Sequence, residues 1–251
     1  MALVKTKALV IREQPYQDHD KLLTLFTEKE GKQRAIAKGA RRRKSGMASA
    51  VQLFAFSEMV YYPGKNFASI NEAKLIEAFY PLRNDIRLMT LASYITELLD
   101  VFYDFYQGSE VVLKGVTHIL YYFATEKAQN NEALALALQL KLCKMNGIGP
   151  VLGRCVQCGE TADLVGFSES GGGTVCARCA NIGEERLSND DLDILLFCMR
   201  SPFKAVCETD FNESHVHGLF KMMNYYISKH LDRKLKSFEF YNSVLSDLKE
   251  R

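Results

Sequence analysis

Alternation of apolar and polar positions dominates the first eighty residues. Over residues 3–12, Val4, Thr6, Ala8 and Val10 alternate with Leu3, Lys5, Lys7, Leu9 and Ile11, the period of two that marks a strand. Residues 21–27 and 32–37 flank Glu28-Lys29-Glu30-Gly31 and predict a hairpin closed by that turn. Residues 53–62 and 67–79 flank Pro63-Gly64-Lys65-Asn66 and predict a further pair.

Five strands in so short a segment predict a small closed barrel. The OB-fold is the commonest five-stranded barrel with nucleic-acid duties, and an SH3-like barrel fits the strand count nearly as well.

From Asp85 the period changes to 3.6. Ile86, Met89, Ile95, Leu98, Leu99 and Phe102 fall on one helical stripe, residues 111–124 form a second, and residues 132–145 a third that stops at Gly147 and Pro150. Ser188 caps a later helix running to Met199, with Pro202 beyond it. Val216, Leu219, Phe220, Met223, Tyr226, Ile227 and Leu231 then line one more. The expected architecture is α+β and multidomain. Residues 1–80 form an OB-fold barrel that binds nucleic acid, 81–150 the first part of a helical domain, 151–186 an inserted zinc-binding hairpin, and 187–251 the rest of the helical domain.

The insertion carries the sharpest chemical signal. Cys155-Val156-Gln157-Cys158 and Cys176-Ala177-Arg178-Cys179 are separated by seventeen residues, a C-x2-C-x17-C-x2-C spacing that reads as a tetrahedral zinc site. Leu164–Ser168 and Thr174-Val175 would be two short strands meeting at Gly171-Gly172-Gly173, bringing four thiolates to one point. Four thiolates leave no open coordination position, so one zinc per chain would be structural. A redox dithiol is the competing reading. Cys143, Cys198 and Cys207 lie among apolar residues and read as core thiols.

At 251 residues and 47% hydrophobic content the chain can fill packed cores. The stretch Met1–Lys5 has no apolar signal core, and no run approaches a membrane span. The expectation is a cytoplasmic protein with reduced thiols. A net charge of +2 hides an asymmetry: residues 1–80 hold 14 basic against 8 acidic side chains, and the remainder 18 against 22. That places a polyanion partner at the amino-terminal part.

Lys38, Arg41, Arg42, Arg43 and Lys44 put five positive charges into seven residues just after a predicted strand, and Lys32 and Arg34 on that strand extend the patch. Such clustering suits phosphates, since each neutralised phosphate releases condensed counterions; a solvated loop is the bland alternative. Among aromatics, Phe54, Phe56, Tyr61, Tyr62 and Phe67 could stack on unpaired bases, although most must serve the core. Position 43 is Arg where a P-loop needs glycine, and Gly147-Ile148-Gly149 follows no strand. His19, His118, His215, His217 and His230 form no hydrolase or deaminase motif. The chain therefore reads as a binder rather than an enzyme. The cationic run from Lys229 to Lys236 complements a helix dipole.

These pieces together resemble the RecO recombination-mediator family of bacteria. The resemblance is carried by Lys38-Gly39-Ala40-Arg41-Arg42-Arg43-Lys44-Ser45, Asn146-Gly147-Ile148-Gly149-Pro150 leading to Cys155-Val156-Gln157-Cys158-Gly159, Val165-Gly166-Phe167-Ser168 before Cys176, and His230-Leu231-Asp232-Arg233-Lys234-Leu235-Lys236-Ser237. It implies an amino-terminal OB-fold, a helical domain and a four-cysteine zinc motif. It also implies a non-enzymatic, nucleoid-associated DNA-repair factor that binds single- and double-stranded DNA and anneals complementary strands. Its implied partners are RecR, the acidic carboxyl-terminal tail of single-strand-binding protein and, indirectly, RecA. For that tail, Lys141, Lys144 and Arg233 are candidate contacts. An RNA- or ribosome-associated protein is the alternative class, since it too combines a basic barrel with a zinc hairpin.

Overall fold

A computed structural model describes residues 3–125 and 127–249 of the chain. By packing it falls into two compact units, Met1–Thr125 with Glu239–Arg251, and Glu126–Phe238. The first is therefore larger than a barrel ending near residue 80, because two helices pack with the strands.

Five strands build the barrel of the first unit: β1 (Val4–Tyr16), β2 (Asp20–Thr27), β3 (Gly31–Ala37), β4 (Phe56–Tyr62) and β5 (Ala68–Glu77). They close in the order β1-β2-β3-β5-β4, with β3 parallel to β5 and all other pairs antiparallel. That Greek-key closure is the OB-fold, and it excludes a simple meander. Alternation turns Leu23 and Leu25 of β2 and Ala35 and Ala37 of β3 inward, against Ala8, Val10, Met59, Tyr61 and Ile70. Small alanines beside large side chains fill so narrow an interior. Strand β1 begins where the alternation does but continues to Tyr16, past a bulge between Val10 and Arg12. The three successive apolar residues Leu9-Val10-Ile11 accommodate that bulge, all three being buried.

Helix α1 (Ile86–Phe102) starts at Asp85, whose carboxylate accepts from the N–H groups of Arg87 and Leu88. It packs on β1, and α2 (Glu110–Ala124), capped by Ser109, packs on β2.

In the second unit α3 (Asn131–Met145) is buried from Ala133 through Leu140 on every side. An all-round apolar helix must sit at the centre of its neighbours, here α4 (Asn189–Arg200), α5 (Phe203–Glu208) and α6 (Glu213–His230). Ser188 caps α4 with a reciprocal capping box to Asp191. The cysteine insertion lies between α3 and α4 as a sheet of β6 (Leu164–Ser168), β7 (Gly173–Cys176) and β8 (Glu185–Arg186), ordered β7-β6-β8. Helix α7 (Lys236–Lys249) ends the described chain.

Candidate metal centre and nucleic-acid interface

The antiparallel pairing of β6 with β7 brings both cysteine pairs to one place. The four Sγ atoms of Cys155, Cys158, Cys176 and Cys179 all lie within 4.8 Å of one another, and Cys158 Sγ is 3.7 Å from Cys176 Sγ. Tetrahedral thiolate coordination with bonds of about 2.3 Å sets sulfurs about 3.8 Å apart, so this donor set fits a soft tetrahedral cation. Each pair sits on a tight knuckle: Gly159 N–H donates to the Cys155 carbonyl, and the N–H groups of Cys179 and Ala180 both donate to that of Cys176.

Burial raises the Cys155 thiol, but main-chain hydrogen bonds at Cys176, Cys158 and Gln157 outweigh it and bring it down to about 6. Hydrogen bonding with Cys158, then burial, pushes Cys179 up to about 12. Packed thiols cannot all lose their protons without a compensating positive charge. The apolar core of the hairpin is small, Leu164 and Val175 beside Cys155 and Cys176 with Val156 and Leu192 packed against them, so a bound cation would add to what holds it. Cys143, Cys198 and Cys207 are buried away from this cluster, as core thiols should be.

At one end of the barrel the registers Tyr16↔Asp20, Lys21↔Ala37, Ala35↔Ala68 and Tyr62↔Ser69 gather the end of β1, the start of β2, the end of β3, the end of β4 and the start of β5. The basic run leaves β3 at this rim. Gly39, at φ +64°, turns the chain, and its N–H donates to Asp20 Oδ1 at 2.7 Å. Arg41 N–H donates to the His19 carbonyl at 2.9 Å. The loop is thus tied to the β1–β2 turn by its backbone and by the Arg41 guanidinium, which donates to the Asp18 carbonyl at 3.4 Å, while Ala40 turns into the core and the basic side chains stay outside. Lys38, Arg41, Arg42, Arg43 and Lys44 are all exposed, and among the described residues none of them pairs with a carboxylate. Five exposed charges without acidic partners on a pinned loop form a focused positive field.

The other two predicted cations diverge. Arg34 lies on the outer face of β3, exposed, in a cross-strand row with Thr24 and Arg12. Partners directly opposite one another share a face, so Arg12 and Arg34 project together. Lys32 does not belong to this surface: it is 5% exposed and its ammonium bonds Asp100. A strand residue with period-two exposure was expected there, but a segment beyond α1 covers that end of β3.

Of the aromatic candidates, Phe54 and Tyr61 are core residues, 1% and 0% exposed. Phe54 lies outside β4, at φ 68°. Phe56 is half-buried and Tyr62 exposed, while Phe67 is half-buried at the rim with its ring 6.5 Å from that of Tyr16. Arg12 and Tyr16 were missed by sequence reasoning. The apolar triplet ahead of Arg12 is the one signal of the bulge that sets its direction.

In the second unit Lys141 is half-buried. Its ammonium donates to the carbonyls of Met199 and Ser201 at 3.0 and 2.7 Å and lies over the Phe203 ring, so it caps the end of α4 and is removed from the candidate tail contacts. Lys144 and Arg233 remain exposed. At the end of α6, Lys229 and His230 occupy the last turn, where the helix dipole favours them. No helix among the described residues is long and apolar enough to cross a membrane.

An OB-fold barrel with an exposed cationic rim, accompanied by a helical unit that carries a four-cysteine centre, defines a class of barrel-and-helix proteins. The comparisons with known proteins narrow that class. Residues 1–79 match the family model "Recombination protein O N terminal" and residues 83–239 the model "Recombination protein O C terminal". The chain is 33% identical over 243 residues to the DNA repair protein RecO of Clostridium novyi (strain NT), covering 96% of this chain and 94% of that one. It is 32% identical over 234 residues to the DNA repair protein RecO of Alkaliphilus metalliredigens, covering 92% and 95%. With the same protein of Thermoanaerobacter sp. it shares 31% over 247 residues, covering 97% and 99%. The chain belongs to the RecO family of DNA repair proteins.

Proposed function

We propose that this protein is a recombination mediator: it binds single- and double-stranded DNA through the barrel, anneals complementary strands and, with RecR, helps to load RecA onto DNA coated by single-strand-binding protein. The observation that carries the reading is the rim loop, where Lys38, Arg41, Arg42, Arg43 and Lys44 are exposed and without acidic partners. Arg12 and Arg34 continue this positive surface down the outer face of β1–β3. Two strands repel through their phosphates, and a protein that neutralises both while leaving bases free lowers that barrier. Phosphate contacts hold a strand without reading its sequence, which annealing of arbitrary complements requires.

The four cysteines hold one structural zinc, which contributes folding free energy and takes no part in chemistry. The protein acts by binding, without ATP, in the cytoplasm. Lys144 and Arg233 are the retained contacts for the acidic tail of single-strand-binding protein. The test is strand annealing with labelled complementary oligonucleotides, with and without single-strand-binding protein and without nucleotide. Acceleration under both conditions is expected. No acceleration, or a preference for structured RNA as competitor, would replace this reading with an RNA-associated one.

A further inference from the structure

The linker between α1 and α2 crosses the edge of β3 that β5 leaves open. β3 pairs with β5 only through Ala35 and Ile36; farther down, Lys32 forms a parallel bridge with Phe105. Lys32 N–H donates to the Gln107 carbonyl and Tyr106 N–H to the Lys32 carbonyl, both at 2.8 Å. Gly31 makes this approach possible: it lies at φ +65°, and a Cβ there would stand 2.1 Å from the Gln107 oxygen. The Phe105 ring lies beneath the Lys32 ammonium at 4.7 Å and the Arg34 guanidinium at 4.4 Å. Arg34 is thereby held over an aromatic face while remaining exposed.

Tyr106 comes next and is anomalous. It is 67% exposed and sits at φ 68°, as the third residue of a turn closed by Gln107 N–H to the Asp104 carbonyl at 3.1 Å. Glycine or asparagine suits that position, and a tyrosine there is strained. Among the described residues its hydroxyl makes no hydrogen bond and its ring pairs with no other ring. Folding therefore gains nothing evident from this side chain, and the backbone that presents it is clamped to the barrel.

We propose that Tyr106 is a stacking platform for an unpaired base of single-stranded DNA, with the Phe105-held Arg34 at the adjoining phosphate. The inference rests on the reading of the barrel as a DNA-binding surface and extends it to the α1–α2 linker. From the Lys32 bridge to Lys38 the strand rises about 20 Å, within the reach of the roughly 4 to 16 nucleotides that one OB-fold takes. Duplex bases are already stacked, so the platform favours single strands.

Two variants of the whole chain test it. The chain has no tryptophan, so Tyr106→Trp provides a lone indole whose emission should be quenched by oligothymidylate and not by a blunt duplex. Tyr106→Gly should keep or raise the melting temperature, because it relieves the strained turn, while weakening single-strand affinity by about fivefold or more. Its salt slope and duplex affinity should be unchanged, since no phosphate contact is lost. Unaltered single-strand affinity in Tyr106→Gly, or equal losses on single strands and duplex, would overturn the inference. If the Arg41, Arg42 and Arg43 triple alanine variant still loses binding in that case, the DNA-binding reading survives alone. If the parent protein binds no single strand, both fall.

Discussion

Lys32 and Asp100 are joined twice, the Lys32 ammonium lying 2.7 Å from the Asp100 carbonyl oxygen and 3.2 Å from its carboxylate. The pair fastens β3 to the last turn of α1 and withdraws from the solvent a cation that the strand pattern assigns to the surface. Lys32→Met keeps the aliphatic stem and strands the Asp100 groups, at a cost of about 1–3 kcal/mol in stability. Its salt slope for single-strand binding should match the parent's. Arg34→Ala should do the reverse, lowering the slope by about 0.7 with little change in stability. Urea denaturation and salt titrations of both variants check this.

The metal centre predicts a separable effect. Elemental analysis should find one zinc per chain, and Cys155→Ser or strong chelators should destabilise the 126–238 unit, given that structural zinc contributes about 10–16 kcal/mol of apparent binding free energy in small peptides. The rim loop belongs to the other compact unit, so single-strand affinity at low temperature should persist after zinc loss. Protein purified without chelator or oxidant and lacking zinc would contradict the assignment.

Asp85 makes stability depend on acid. Hydrogen bonding to the Arg87 side chain holds its carboxyl below the usual range against the effect of burial. A carboxyl depressed on folding stabilises above its unfolded pKa of about 3.9 and loses that contribution as pH falls through the folded value. Asp85→Ala should therefore cost about 1 kcal/mol near neutrality, the usual worth of an N-cap, and the difference from the parent should shrink below pH 4. Denaturation midpoints at pH 7 and pH 3 measure it.

Gly31→Ala tests the clamp between β3 and the α1–α2 linker. With φ at +65° and the Gln107 oxygen 2.1 Å from the new Cβ, the substitution should destabilise the unit by about 2 kcal/mol or more. Faster hydrogen exchange of the Lys32 and Tyr106 amides should accompany it.

Local pattern made much of this legible. Period-two alternation located the five strands, the 3.6 period located α1, α2, α3, α4 and α6, and the cysteine spacing anticipated a cluster whose sulfurs do converge. What stayed hidden depends on partners distant in sequence. Lys32 and Arg34 have the same strand phase and both lie over the Phe105 ring, yet only Lys32 is sealed by Asp100 while Arg34 stays exposed. Arg12 joins Arg34 only through the register that the bulge sets. Three elements gave too little signal: β8 is two residues long, α5 is six, and α7 follows α6 after a break at Asp232, where φ is 47°.

The most direct test of the DNA-binding account is the salt dependence of single-strand affinity with Arg41, Arg42 and Arg43 replaced together by Ala. The three arginine side chains are exposed and the loop keeps its backbone ties to the β1–β2 turn without them, so the variant should remain folded. At about 0.7 per phosphate contact, the slope of log affinity against log salt should fall by up to about two, equally for different DNA sequences. A folded variant whose affinity and slope equal the parent's would show that the rim loop is solvated surface and that DNA binds elsewhere.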